Sequence, residues 1–243
     1  MWMQGTLGLM MFAANGFAAT PVNTARELER IGASTERVSA EVAPKVVQIL
    51  TQSVKVAGAG DEQPNGVLIS ERGRGSGFFV TVDGYVLTNA HVVANATRIR
   101  VLTQGGTEFA ATIAGIDGDN DLALLKTEAR DMAYFDLSQD AMSHDGMSHQ
   151  VSPRQGQLVL AFGSPMGLAQ SASLGLVSAL ERQLSPDDPR AYIQTDASMN
   201  PGNSGGPLVD LEGKLLGVNT MILSQSGGSE GLGFAIPLEV VRR

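Results

Sequence analysis

The chain has 243 residues, with 17 Lys+Arg against 25 Asp+Glu and a formal net charge of −8. That balance offers no positive field to draw in a phosphate backbone, so nucleic acid is excluded as a partner. With 43% hydrophobic and only 17% charged residues, a solvated disordered chain is excluded too.

Cysteine is absent, which removes a disulfide framework, thiol catalysis and a cysteine-ligated zinc site. The 29 glycines and the low aromatic content, 5%, point to many turns between short strands. Residues 1–25 carry no charged side chain. The short apolar run Leu7–Ala14, followed by Gly16-Phe17-Ala18, has the form of the end of a secretory signal peptide, and it is too short to span a bilayer as a helix. No Lys or Arg precedes it, so a plain N-terminal arm stays open as the other reading. The first reading implies a periplasmic or otherwise extracytoplasmic location. Membrane association follows only if this stretch is an uncleaved anchor.

Thr24-Ala25-Arg26-Glu27 has the form of a capping box, and Gly32 predicts an early stop to the helix that it opens. A second short helix is predicted over residues 36–43, ending before Pro44. Beyond Pro44 short apolar runs alternate with Gly, Asp, Asn and Ser. Strands are predicted at 46–50, 77–81, 85–88, 98–101, 109–113 and 122–125, with Asp83-Gly84 as a hairpin turn. Residues 138–155 form a polar connector holding His144, His149 and Pro153. The second half repeats the style, with strands at 157–162, 171–180, 192–195, 207–210, 214–218 and 233–236. The expected class is all-β, sandwich or barrel, in two similar units. The units are an arm over 1–43, a first barrel over 44–137, the connector, and a second barrel over 156–243.

The strongest local signal is Gly202-Asn203-Ser204-Gly205-Gly206-Pro207. Glycines on both sides leave the serine unhindered and let backbone N–H groups converge on a developing oxyanion. A Gly-rich turn is the plainer reading. Gly202-x-Ser204-x-Gly206 also fits a nucleophile elbow, but that fold needs its histidine after the serine, and His91, His144 and His149 all precede it. The orders left are His…Asp…Ser on β-barrels and Asp…His…Ser on an α/β fold, and the strand-rich pattern selects the first. His91 sits where a strand ends, in Leu87-Thr88-Asn89-Ala90-His91-Val92-Val93. His144 and His149 read as solvated loop residues; as a metal pair they lack a third ligand. Among Asp117, Asp119 and Asp121, the first two belong to a turn that does not meet EF-hand spacing. Asp121 opens the apolar strand Leu122–Leu125, where a carboxylate is partly desolvated and can hold an imidazole tautomer.

Five ordered blocks carry a family resemblance: Thr88-Asn89-Ala90-His91-Val92-Val93; Asp121-Leu122-Ala123-Leu124-Leu125-Lys126; Gly163-Ser164-Pro165-Met166-Gly167-Leu168; Gln194-Thr195-Asp196-Ala197 leading to Asn200–Leu208; and Gly231–Pro237. Over about residues 41–241 the chain resembles the HtrA/Deg family of trypsin-like serine proteases. The resemblance implies two perpendicular six-stranded antiparallel β-barrels with a site in the cleft. It implies Ser204 as nucleophile, His91 as general base and then acid, and Asp121 as the orienting carboxylate. The N–H groups of Gly202 and Ser204 would form the oxyanion hole, with no cofactor or metal.

The same resemblance places the base of the specificity pocket at Ser198, with Met199, Ile222 and Leu223 lining it. With no acid there, cleavage after small or medium aliphatic residues is expected, with loose selectivity, about 1–3 kcal/mol per methylene. Asn203 stands where digestive relatives carry an aspartate that pairs with a new N-terminus. The loops 195–202 and 223–231 are then expected to be ordered by ligand or a neighbouring subunit, glycines making the second mobile. Unfolded or damaged polypeptides are the implied substrates, and a homotrimer built through the N-terminal segment is the implied assembly. The family usually carries PDZ domains after the protease; this sequence has none. A chaperone-like peptide-binding protein with a latent site, and a metal- or calcium-dependent module resting on the Asp117–Asp121 turn and His144/His149, are the rival readings.

Overall fold

The computed structural model describes residues 24–56, 68–138, 152–164, 170–186 and 188–243. The apolar run at 7–14, most of the connector with His144 and His149, and residues 165–168 lie outside them. The chain enters through α1 (Thr24–Val42) and a single 3-10 turn at Ala43–Lys45. Six strands follow: β1 (Val46–Val56), β2 (Leu68–Phe79), β3 (Tyr85–Thr88), β4 (Arg98–Thr103), β5 (Glu108–Asp117) and β6 (Leu122–Thr127). The short helix α2 (Ala90–Val93) lies between β3 and β4. The second set is β7 (Leu158–Gly163), β8 (Ser171–Arg182), β9 (Tyr192–Thr195), β10 (Pro207–Asp210), β11 (Leu215–Ile222) and β12 (Gly233–Pro237), closed by α3 (Leu238–Val241).

Each set closes into an antiparallel barrel. The strand orders are β1-β2-β3-β6-β5-β4 and β10-β11-β12-β9-β8-β7. All-β architecture in two six-stranded barrels is therefore the fold, as expected. The predicted strands are all present, several of them longer than their apolar runs. β1 and β2 pair over their full length, from Val46↔Phe78 to Val56↔Leu68, although Arg72 and Arg74 break any apolar pattern there. Asp83-Gly84 does turn β2 into β3: Gly84 has φ +93°, and Val80 N–H donates to Tyr85 O at 2.9 Å.

The prediction of two helices at the N-terminal end is corrected. α1 runs unbroken through Gly32. A glycine in a helix interior costs roughly 0.5–1 kcal/mol relative to alanine, which weakens a helix without ending it. Tertiary burial decides the outcome: Val38 and Val42 are fully buried and fix the C-terminal half of α1 to the body.

Each barrel has its own interior. Val47, Ile49, Phe79, Val86, Val101 and Leu125 fill the first. Val159, Ala161, Val177, Ile193, Leu208 and Leu216 fill the second. A third cluster joins the barrels and α1 through Val38, Val42, Phe78, Leu122, Phe162 and Phe234. Burying a side chain of that size contributes roughly 1.5–3 kcal/mol, so the seam is a strong joint. The candidate site sits on this seam. No helix among the described residues is long and apolar enough to cross a membrane.

Candidate active site

β3 ends at Thr88, and the chain turns through Asn89, fully buried, into α2. This lifts His91 to the rim, with its side chain 51% exposed. The turn is tied to Asp121: its main-chain carbonyl accepts Ala90 N–H at 3.1 Å and Asn89 Nδ2 at 3.0 Å. Asp121 has φ +56°, in the left-handed region that aspartate tolerates better than most residues. That backbone aims its carboxylate back at the histidine. Oδ1 accepts His91 N–H at 2.9 Å, and Oδ2 lies 2.8 Å from His91 Nδ1.

An ionised carboxylate only accepts, so Nδ1 carries a proton; in the neutral ring Nε2 is then the acceptor. Burial pushes the Asp121 pKa up. The ring and main-chain N–H of His91, the His91 charge and the Thr220 hydroxyl outweigh it, and the net pKa lies below the ordinary aspartate value.

Thr220 belongs to the other barrel. Its Oγ1 donates to Asp121 Oδ2 at 2.8 Å, closing the carboxylate's set of donors across the seam. Sequence reasoning missed it. The available signal was Asn219-Thr220, two adjacent polar residues in the otherwise apolar run of β11, both buried in the structure. Ser204 lies on the loop between β9 and β10. Its Oγ donates to Thr220 O at 2.8 Å. Thus one residue contacts both the carboxylate and the serine, and among the described residues Ser204 Oγ makes its hydrogen bond there rather than to His91.

The loop around Ser204 has a fixed backbone. Asn203 N–H donates to Asn200 O at 3.0 Å, Gly205 N–H to Asn219 O at 2.7 Å, and Gly206 N–H to Asn203 O at 3.0 Å. The N–H groups of Gly202 and Ser204 donate to no acceptor among the described residues. Unpaired donors beside a serine hydroxyl are what an oxyanion formed there would need. Gly202 has φ +108°, open to glycine and strained for other residues.

Beside Ser204 is a cavity of about 270 Å³, lined by Met199, Asn200, Pro201, Thr220, Met221 and Ile222. Of the expected pocket residues, Met199 and Ile222 line it. Ser198 and Leu223 do not: Ser198 is exposed, and Leu223 is 48% exposed. Met221 and Thr220 line it and were not foreseen. The loop after Ile222 is held by its own side chain. Glu230 Oε1 accepts from Ser224 Oγ (3.0 Å), Gln225 N–H (3.2 Å), Ser226 N–H (3.0 Å) and Ser226 Oγ (2.7 Å), and these bonds bring its pKa down to about 2. Ser229 N–H donates to Asn200 Oδ1 at 3.1 Å, tying this loop to the one that carries Ser204.

The Asp117 carboxylate accepts from Asn120 N–H at 3.1 Å and Asn120 Nδ2 at 2.7 Å, as a turn residue does. Among the described residues no three metal-ligating side chains converge.

The trypsin-like peptidase domain profile matches residues 75–218, more than half of the chain. The chain belongs to the trypsin-like peptidase family. Its relatives include proteins named DegP-like serine endoproteases and HtrA-type proteases. A DegP-like periplasmic serine endoprotease of Ectopseudomonas mendocina is 44% identical over 177 residues, covering 73% of this chain and 35% of its own. Its counterpart in Halomonas elongata is 42% identical over 186 residues, covering 74% of this chain and 37% of its own. Among solved structures, the HtrA-type protease AlgW with a decapeptide has a TM-score of 0.68 at 34% identity, over 84% of this chain and 64% of that one. The serine endoprotease of Yersinia pestis has a TM-score of 0.65 at 33% identity, over 85% and 63%. The chain thus spans about a third of the length of these curated relatives.

Proposed function

We propose that the chain is a serine endopeptidase of unfolded or damaged proteins, working in the periplasm through His91, Asp121 and Ser204. The observation that carries the reading is the carboxylate–imidazole pair at 2.8 Å, with Ser204 linked to the same carboxylate through Thr220 of the other barrel. In this reading substrate binding turns Ser204 Oγ from Thr220 O toward His91 Nε2. Nε2 takes the hydroxyl proton as Oγ attacks the peptide carbonyl carbon. Negative charge develops on the carbonyl oxygen and is met by the N–H groups of Gly202 and Ser204. The imidazolium, stabilised by ionised Asp121, then gives its proton to the leaving amine. Water attacks the acyl-enzyme by the same route and frees Ser204.

The apolar cavity at Met199, Met221 and Ile222 supports a preference for small or medium aliphatic side chains at the cleaved bond. Residues 44–137 and 156–243 act as the two barrel units joined by 138–155. Homotrimer assembly through the arm over 1–43 belongs to the same reading; light scattering on the purified chain tests it.

A chaperone-like peptide binder with a latent site is the second reading. The Ser204–Thr220 hydrogen bond supports it, because it directs the hydroxyl away from the base. A fluorophosphonate probe separates the two. Labelling at Ser204, lost in Ser204→Ala together with casein cleavage while the fold persists, is the enzyme's outcome; the protease falls if wild type and variant cleave alike or if no label is taken up. Removal of Ser204 costs roughly 10⁴–10⁶-fold in kcat.

A further inference from the structure

Ser76 lies on β2 of the first barrel and is fully buried, yet three of its hydrogen bonds are made to the second barrel. Its Oγ donates to Gly202 O at 2.6 Å and accepts Ser164 N–H at 2.8 Å. Its N–H donates to Ser204 O at 2.8 Å. Its own carbonyl accepts Thr88 Oγ1 at 2.7 Å. The approach is so close that a Cβ on Gly205 would lie 2.2 Å from Ser76 O and 2.3 Å from Thr88 Oγ1. A buried serine that joined the barrels by packing alone would not need acceptors on both sides of the nucleophile.

We propose that Ser76 is a positioning residue that holds the loop 202–204 in the orientation able to bind an oxyanion. The proposal rests on the protease reading above. Peptide groups are planar, so fixing the Gly202 carbonyl fixes the plane that continues into Asn203. Fixing the Ser204 carbonyl fixes the next plane but one. Between these two anchors lies the Ser204 N–H. Just before the first lies the Gly202 N–H, whose direction relative to that plane depends on two torsions only, φ and ψ of Gly202. Gly202, at φ +108°, is the residue free to turn there. Without the Ser76 hydroxyl, Gly202 O loses its donor and Ser164 N–H its acceptor. The Gly202 peptide is then free to turn while Ser76 N–H still holds the Ser204 carbonyl, and the two donors no longer point at one place. Ser76 touches no reacting atom; it acts through Gly202.

The test uses the full chain with Ser76→Ala and Ser76→Cys, the latter keeping size and a weak donor. Three quantities are measured: kcat and KM on a peptide substrate, inhibition by a peptide boronate whose tetrahedral oxygen occupies the oxyanion site, and inhibition by the non-covalent product peptide. Misplaced donors cost about 10- to 100-fold in kcat for Ser76→Ala. The boronate weakens by the same factor, product-peptide affinity and KM stay within about twofold, and Ser76→Cys falls between. Should Ser76→Ala fail to fold, Ser76→Cys carries the same three measurements. The proposal is overturned by unchanged kcat, or by losses in boronate and product-peptide binding that match each other. Wild-type chain inhibited by the boronate keeps this test separate from the protease reading, which fails instead if the wild type binds neither boronate nor fluorophosphonate.

Discussion

The two barrels supply their halves of the site by different physical means. The first-barrel half is a closed circuit. His91 and Asp121 share two hydrogen bonds, and the Asp121 main chain clasps the turn that carries His91. The second-barrel half is a loop whose order comes from scattered anchors: Asn200, Asn219, Thr220 and, across the seam, Ser76. The His91–Asp121 pair therefore rests on one carboxylate, while the Ser204 loop is held mainly by the main-chain carbonyls of Asn200, Asn219 and Thr220, with the Ser76 hydroxyl as its side-chain anchor. In the proposed reading, loss of His91 or Asp121 costs orders of magnitude in kcat, and loss of a loop anchor costs far less.

Asp121→Asn gives the largest effect that sharpens this contrast. The amide can donate to Nδ1 and so holds the wrong tautomer, and kcat falls by about 10⁴-fold. The same carboxylate links the site to stability. Its folded pKa is lowered, so its contribution is fully present above the ordinary value of 3.8 and is lost as pH falls through the folded value. Urea unfolding between pH 5 and 2 reads this as a loss of stability that Asp121→Asn lacks in part. Equal pH dependence in the two proteins breaks the link.

Thr220→Val removes the one donor that the second barrel lends to Asp121 among the described residues. Hydrogen bonds to charged groups contribute about 1.5–3 kcal/mol, so a drop of about tenfold in kcat with KM held is expected. An effect as large as that of Asp121→Asn in steady-state kinetics would erase the distinction between the halves. Glu230→Gln comes next. It weakens the four bonds that tie 224–230 together, and through Ser229 it loosens Asn200. KM rises about threefold and kcat changes less, as for a binding loop. Because Glu230 titrates at about 2, wild-type loop order persists across any ordinary assay pH. The smallest effect lies outside both halves. Gly32→Ala in α1 meets nothing within 4 Å, and thermal unfolding should show a gain of roughly 0.5–1 kcal/mol without change in kcat.

The sequence made the first-barrel half easy to read. His91 follows a strand and Asp121 opens one, so strand ends placed both residues, and the five blocks fixed the order. Gly202 to Gly206 announced the serine loop for steric reasons that the structure makes concrete at Gly205. Ser76 and Thr220 were not legible. Each lies within a strand, and periodicity marks which side chains are apolar but not which polar ones meet a partner more than 90 positions away. The early end assigned to α1 at Gly32 failed because a local propensity was weighed without the burial of Val38 and Val42. Leu223, expected in the pocket through its family position, is half-exposed where the chain enters the Glu230-bound loop.

Both sheets close on themselves. An open sheet would end in a row of unpaired N–H and C=O groups, a template on which a sticky foreign chain can grow. Two sheets without a rim offer no such row, so neither barrel can itself seed a fibre by its edge.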